Sequence, residues 1–175
     1  MKKKIIITGG LGYIGTEICK LYSGVSWHHQ IIVIDNRFIS ERVNQIRNWN
    51  MEFIQGDILD KNLINKHFKD ADVVHHLAGI TDVPRTKSES SVNQDTKIKE
   101  VGETGTQNIL DSISNKCKII FPSTHVVFEG IKDVKTDIHE NEATKPVLSY
   151  SSSKAVNEDQ LKKSGKNYII LRLGS

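Results

Sequence analysis

Two stretches of the chain carry residues that could do chemistry together. The run "YSSSK", Tyr150 to Lys154, sets a phenol and an ammonium four residues apart. On a helix that spacing puts both on one face, so they can address one pocket. A tyrosine with an ordinary pKa of about 10 is a poor base at neutral pH. A neighbouring cation favours the phenolate and brings it toward the working range, as proton exchange with a hydroxyl requires. The run "FPST" closes an apolar stretch at Ser123 and Thr124, and Thr124 could hydrogen-bond the same oxygen that Tyr150 deprotonates. Taken alone, the pair fits an ordinary surface helix equally well, and the hydroxyls fit strand-end caps.

A third stretch changes those odds. "TGGLGYIG", Thr8 to Gly15, follows directly on Ile5-Ile6-Ile7. Glycine costs backbone entropy, so four of them at a strand-to-helix junction need a reason. Gly9 and Gly12 permit a tight turn that a ligand can approach closely, and Gly15 removes a side chain where the helix would press on the strand. The helix expected over Tyr13–Tyr22 aims its free N–H groups and positive dipole end at the turn, a place for a pyrophosphate. Asp35 closes the next apolar run 20 residues beyond Gly15. There a carboxylate can accept hydrogen bonds from an adenosine ribose. Its charge repels a 2′-phosphate and favours NAD over NADP, a preference that Arg37 close by weakens.

Other candidates speak less clearly. Asp57 follows Gly56 at the end of a third run, and Leu77-Ala78-Gly79 ends a fourth, where small residues would let a cofactor lie against the sheet edge. His75 and His76 are neighbours on that strand and face opposite sides, so they cannot chelate together. They read as buried structural histidines, and His28-His29 as solvent-facing. Cys19 and Cys117 match no metal or redox spacing and read as packing residues. No metal site is expected, and a reducing cytoplasm is the default compartment.

These residues need a frame to hold them. Short apolar runs at Ile5–Thr8, Ile31–Asp35, Met51–Gln55, Val73–Leu77, Lys118–Pro122 and Tyr168–Leu173 alternate with helical stretches. The helices fall at Tyr13–Tyr22, Lys61–Lys69, a long stretch ending near Ser114, and Ser149–Ser164. Runs that are continuous rather than alternating suit parallel strands buried on both faces. The repetition predicts an α/β fold, a doubly wound parallel sheet, and right-handed crossovers favour the order 3-2-1-4-5-6. Thr86–Thr96 reads as a loop or frayed helix start and Gly130–Pro146 as a mobile surface loop. The length of 175 residues allows one full core, with 37% hydrophobic and 26% charged residues. A net charge of +3 is too small to argue for nucleic acid, no nucleic-acid partner is expected, and Lys2-Lys3-Lys4 reads as solvation of a strand start. No apolar run reaches the ~18 residues that span a bilayer.

In order, TGGLGYIG, Asp35, Gly56-Asp57, HLAG, GTQNIL, STHVVFEG and YSSSK resemble the extended short-chain dehydrogenase/reductase family. The likeness is to its NAD-dependent epimerase/dehydratase branch, which acts on nucleotide sugars. The resemblance implies a Rossmann fold over residues 1–175, with a substrate domain beyond residue 175. It implies cofactor contacts at Gly9, Gly12, Tyr13, Ile14, Gly15, Asp35, Asn36, Asp57, Ile58, Leu77, Ala78 and Gly79. It also implies Tyr150 as catalytic base, Lys154 as the lysine that binds the nicotinamide ribose and tunes the tyrosine, and Thr124 as the group polarising the substrate oxygen. Gly102 stands where the family usually has an asparagine. STHVVFEG is similar to the STDYVFDG of dTDP-4-dehydrorhamnose reductases. The expected activity is that of an NAD-dependent nucleotide-sugar epimerase, His125 standing where dehydratases often carry an acid. The alternatives are an NADPH-dependent sugar reductase, a dehydratase, and a non-catalytic dinucleotide-binding module. A homodimer would form through the helices of the fourth and fifth crossovers.

Overall fold

In the computed structural model, which describes residues 2–81, 86–133 and 136–174, six parallel strands form one sheet. They are β1 (Lys4–Thr8), β2 (Gln30–Asp35), β3 (Glu52–Gln55), β4 (Val73–His76), β5 (Lys118–Thr124) and β6 (Asn167–Leu173), in the order β3-β2-β1-β4-β5-β6. That is the order expected from right-handed crossovers. The chain winds outward from β1 in one direction and then, after β3, in the other, so a crevice opens between the carboxyl ends of β1 and β4.

Alternate residues of each strand feed two cores. Ile6, Ile32, Ile34, Val74, Ile119 and Phe121 face one side of the sheet, where they pack with Ile64, Phe68, Ile109 and Leu161. These come from α3 (Lys61–Phe68), α5 (Gly105–Ser112) and α6 (Ser149–Lys163). Ile5, Ile7, Ile31 and Val33 face the other side, with Leu11, Cys19, Val43 and Ile46. That side is covered by α1 (Tyr13–Ser23) and α2 (Ser40–Asn48). Burial on both faces explains why the central strands read as unbroken apolar runs.

Two elements differ from the sequence reading. Helix α2 was not among the expected helices, because only Val43 and Ile46 point inward from an otherwise polar surface. The long helical stretch before residue 114 is three pieces: α4 (Val92–Lys99), a π-helical turn (Glu100–Thr104) and α5. A π turn breaks the regular backbone ladder, and side chains of α6 meet its carbonyls. Asn157 Nδ2 donates to Gly102 O at 3.0 Å and Gln160 Nε2 to Glu103 O at 3.0 Å. Gly102 permits this approach, since a Cβ there would stand 2.3 Å from Ser153 Oγ.

The histidine pair behaves as expected. His76 is buried between Thr8 Oγ1 at 3.0 Å and Thr106 Oγ1 at 2.9 Å. Thr8 Oγ1 already accepts from the Leu77 and Ala78 N–H groups. Its own hydrogen therefore goes to His76 Nδ1, and His76 Nε2–H donates to Thr106. Burial, with the charge of Lys154, pushes His76 down to about 3, so it stays neutral. His75 turns the other way and meets Tyr22 Oη at 2.9 Å.

Candidate functional site

The glycine turn between β1 and α1 is built against the end of β4. Gly9 has φ +67°, and a Cβ there would meet Ala78 N at 2.7 Å. Only a residue without a side chain lets the β1 turn and the Leu77-Ala78 backbone lie this close. Gly15 serves a related purpose, but not against the strand as the sequence suggested. A Cβ on Gly15 would meet Gly9 O at 2.4 Å and Gly10 Cα at 2.6 Å, so it is the turn itself that α1 presses on.

What this turn leaves free is informative. Helix α1 begins at Gly12 with no side-chain cap and no acidic residue in its first turn. Helix α3, by contrast, is capped by Asp60, which accepts from the N–H groups of Asn62 and Leu63. An uncapped positive helix end beside a glycine cradle is suited to a phosphate group. The residues present therefore fit the pyrophosphate of a dinucleotide.

The cleft is large, about 1230 Å³, above the usual range for a small-molecule pocket. It runs from Asp35, Asn36, Asp57 and Ile58 past Gly9, Gly12, Tyr13, Ile14 and Gly15. It continues over Leu77, Ala78 and Gly79 to Thr124, Tyr150 and Lys154. The residues expected from the sequence as cofactor contacts and catalytic groups thus line one continuous crevice. Asn36 Nδ2 donates to Asp57 Oδ2 at 3.1 Å, and Asn108 Nδ2 holds Ile58 O at 3.1 Å, fixing the loop after β3.

At the other end, Thr124 Oγ1 accepts from the Val126 N–H at 3.3 Å. The hydroxyl is a cap, as its position allowed, yet its own hydrogen remains for an oxygen in the cleft. Lys154 Nζ donates to Pro122 O at 2.9 Å and stands 4.4 Å over the Phe121 ring, against 5.9 Å from the centroid of the Tyr150 ring. Burial pushes Lys154 down to about 8. Burial also pushes the Tyr150 phenol above its ordinary value. Lys154 Nζ is thus held by the Pro122 carbonyl of β5 while sharing a face of α6 with the Tyr150 ring.

Several functional neighbours escaped the sequence reading. Leu148 opens α6 and has no capping side chain of its own. Glu129 Oε1 supplies the cap from a distance, accepting the Val147 and Leu148 N–H groups at 2.8 Å each and bonding Ser151 Oγ. Burial raises the Glu129 carboxyl, but these donors outweigh it and hold the group below its usual value. Glu129 thereby fixes the helix start that carries Tyr150. Deeper in, Glu158 accepts from Ser123 Oγ at 2.7 Å and from Arg172 at 2.9 and 2.6 Å, tying α6 to β5 and β6. No local pattern announces such partners. Among the described residues, no group of three or more His, Cys, Asp or Glu could hold a metal ion, and no helix is long and apolar enough to cross a membrane.

The crevice of a doubly wound sheet, a glycine cradle at an uncapped helix end, and a tyrosine–lysine pair on one helix face define a dinucleotide-binding α/β protein. The model of the 3-beta hydroxysteroid dehydrogenase/isomerase family matches residues 6–171, and the chain belongs to that family. It is 31% identical over 170 residues to the dTDP-D-glucose 4,6-dehydratase of Dictyostelium discoideum, covering 87% of this chain and 38% of the relative. It is 29% identical over 169 residues to the UDP-glucose 4-epimerase of Neisseria meningitidis serogroup C, covering 89% and 46% respectively. Among solved structures, the UDP-glucose 4-epimerase of Brucella ovis in complex with NAD superposes with a TM-score of 0.76 at 27% identity. That likeness covers 97% of this chain and 51% of the other. The chain thus spans about half the length of these proteins or less.

Proposed function

We propose that this chain is the NAD-binding half of a nucleotide-sugar epimerase, with Tyr150, Thr124 and Lys154 as its catalytic set. The observation that carries the reading is the single crevice joining the glycine cradle and Asp35 to the Tyr150 phenol. When bound, NAD supplies a hydride acceptor. The chain's own residues supply the rest. The first turn of α1 and the glycine backbone bind the pyrophosphate, and Leu77 to Gly79 seat the nicotinamide end. Thr124 donates a hydrogen bond to a substrate oxygen in the cleft, and Tyr150 exchanges a proton with that oxygen. Lys154, one turn further along α6, presents a cation that a bound ribose can engage. The sugar-selecting residues are supplied by a further domain. Pairing of two copies through α4, α5 and α6 belongs to the same reading, Val92 and Val156 being large apolar side chains exposed on those helices.

Calorimetry should show NAD binding by the 175-residue chain, and Tyr150→Phe should leave that binding intact. Activity is read in a protein that also carries the substrate domain, as conversion of UDP-glucose to UDP-galactose. There Tyr150→Phe should slow turnover by about 10²–10⁴-fold, since the ring remains but the exchangeable proton is gone. Undiminished turnover in the Tyr150→Phe protein would refute the mechanism. Elimination of water from the sugar in place of epimerisation would favour a dehydratase.

A further inference from the structure

Most large apolar side chains left exposed belong to surfaces already described. Tyr13, Ile14 and Leu173 line the crevice, and Val92 and Val156 stand on the helices assigned to pairing. Leu21, Val25 and Trp27 do neither. They are 81%, 41% and 74% exposed, and they crowd the end of α1 and the 3₁₀ turn (Ser26–His28) that follows it. A tryptophan and a leucine held out in water side by side along the chain mark an interaction surface. The turn that carries them is firmly built. The Val25 N–H donates to Tyr22 O and the His28 N–H to Val25 O, each at 3.0 Å. Ser26 is buried and donates its hydroxyl to Ser23 O at 3.0 Å. A fixed backbone therefore presents Trp27 outward.

Cations flank this patch. Lys20 is exposed in the last turn of α1. Lys2 and Lys3 are exposed and run beside His28–Gln30, since the Gln30 N–H donates to Lys3 O at 2.8 Å and the Lys3 N–H to His29 Nδ1 at 3.3 Å. Asp70 is paired with Lys4, and Asp72 accepts the Lys4 N–H at 2.7 Å. Glu17 lies one turn before Leu21 on α1.

We propose that this end of the molecule rests on an anionic lipid surface. Leu21, Val25 and Trp27 enter the headgroup level, where an indole suits the boundary between water and hydrocarbon. Lys2, Lys3 and Lys20 extend their ammonium groups to lipid phosphates around them. A shallow patch of this kind lies on a bilayer and does not span it. The placement leaves the crevice open. All six strands run in parallel toward the crevice, and α1 runs back from it, so the patch stands at the opposite end of the sheet.

Co-sedimentation of the 175-residue chain with lipid vesicles is the test. Vesicles of phosphatidylcholine mixed with phosphatidylglycerol should carry the chain down, and vesicles of phosphatidylcholine alone should not. Salt at about 1 M, where the Debye length falls to about 3 Å, should release it. Trp27→Ser and Leu21→Ser should each weaken binding by about tenfold. Replacing Lys2, Lys3 and Lys20 together by alanine should weaken it by about 100-fold, near fivefold for each charge. Circular dichroism verifies the fold of each variant. Sedimentation with neither kind of vesicle, or equally with both, would overturn the proposal. So would binding that is unchanged in both Trp27→Ser and Leu21→Ser. A chain that ignores vesicles but dimerises in analytical ultracentrifugation, and no longer does so in Trp27→Ser, would overturn it in favour of a protein interface.

Discussion

Gly15→Ala isolates the cradle from ordinary helix propensity. The new Cβ would stand 2.4 Å from Gly9 O and 2.6 Å from Gly10 Cα. Ordinary contact begins near 3.4 Å, so α1 and the turn must part by about 1 Å. Both obstacles are backbone, with no flexible side-chain end to swing aside. Overpacking of this kind costs about 1–3 kcal/mol, and the better helix propensity of alanine returns about 1 kcal/mol. A net loss of about 2 kcal/mol is expected, the upper part of that range, because the clash is rigid. Gly24→Ala is the control. Gly24 ends α1 at φ −68° with nothing within 4 Å of a new Cβ, so it should gain about 0.4–1 kcal/mol. Urea unfolding of the two variants should separate them by about 2–3 kcal/mol. The same 1 Å retreat draws the free N–H groups of α1 away from the pyrophosphate. Hydrogen bonds to a charged group contribute about 1.5–3 kcal/mol, so NAD binding should weaken by about 10–100-fold. The reasoning fails if Gly15→Ala is as stable as Gly24→Ala and binds NAD within twofold of wild type.

Two further outcomes follow from buried charges. Lys154, pushed down to about 8 by burial, should lose its proton well before the surface lysines. Titration of ¹³C-methylated lysines by NMR should show one resonance moving near pH 8. Because its folded value lies below the unfolded one, stability should rise, not fall, as pH climbs from about 8 toward the ordinary lysine range. For Glu158, burial raises the carboxyl, but bonds from Arg172 and Ser123 and the charges of Arg172 and Lys162 outweigh this and hold it below its usual value. Its stabilisation is present above the unfolded pKa and is lost as pH falls through the lower, folded one. Glu158→Ala, which strands Arg172, should cost about 3–5 kcal/mol in urea unfolding at neutral pH. A loss below 1 kcal/mol would mean that the network contributes little.

The chain's own order made much of this protein readable. Unbroken apolar runs marked strands buried on both faces, the glycine spacing marked the turn, and the distance from Gly15 to Asp35 implied one cleft, which both residues line. These are local regularities, because strand burial, tight turns and helix faces each depend on residues a few positions apart. Strand order followed from the doubly wound pattern together with the handedness of its crossovers. Helix α2 escaped notice because two inward residues, Val43 and Ile46, suffice to dock it once β1 and β2 are in place. The rest depended on residues that meet only in three dimensions. Glu129 caps a helix that begins 20 residues later, and Glu158 gathers Ser123 and Arg172 from two strands. Asp35 accepts from Arg37, two residues on, but also from the Leu11 N–H, 24 residues earlier. Lys154 and Tyr150 share one helix face as their spacing implied, whereas the bond from Lys154 Nζ to Pro122 O depends on a strand 32 residues earlier. Spacing along a chain reports which groups can share a face. How much solvent each group loses, and which donors remain free, is fixed only when distant segments close around it.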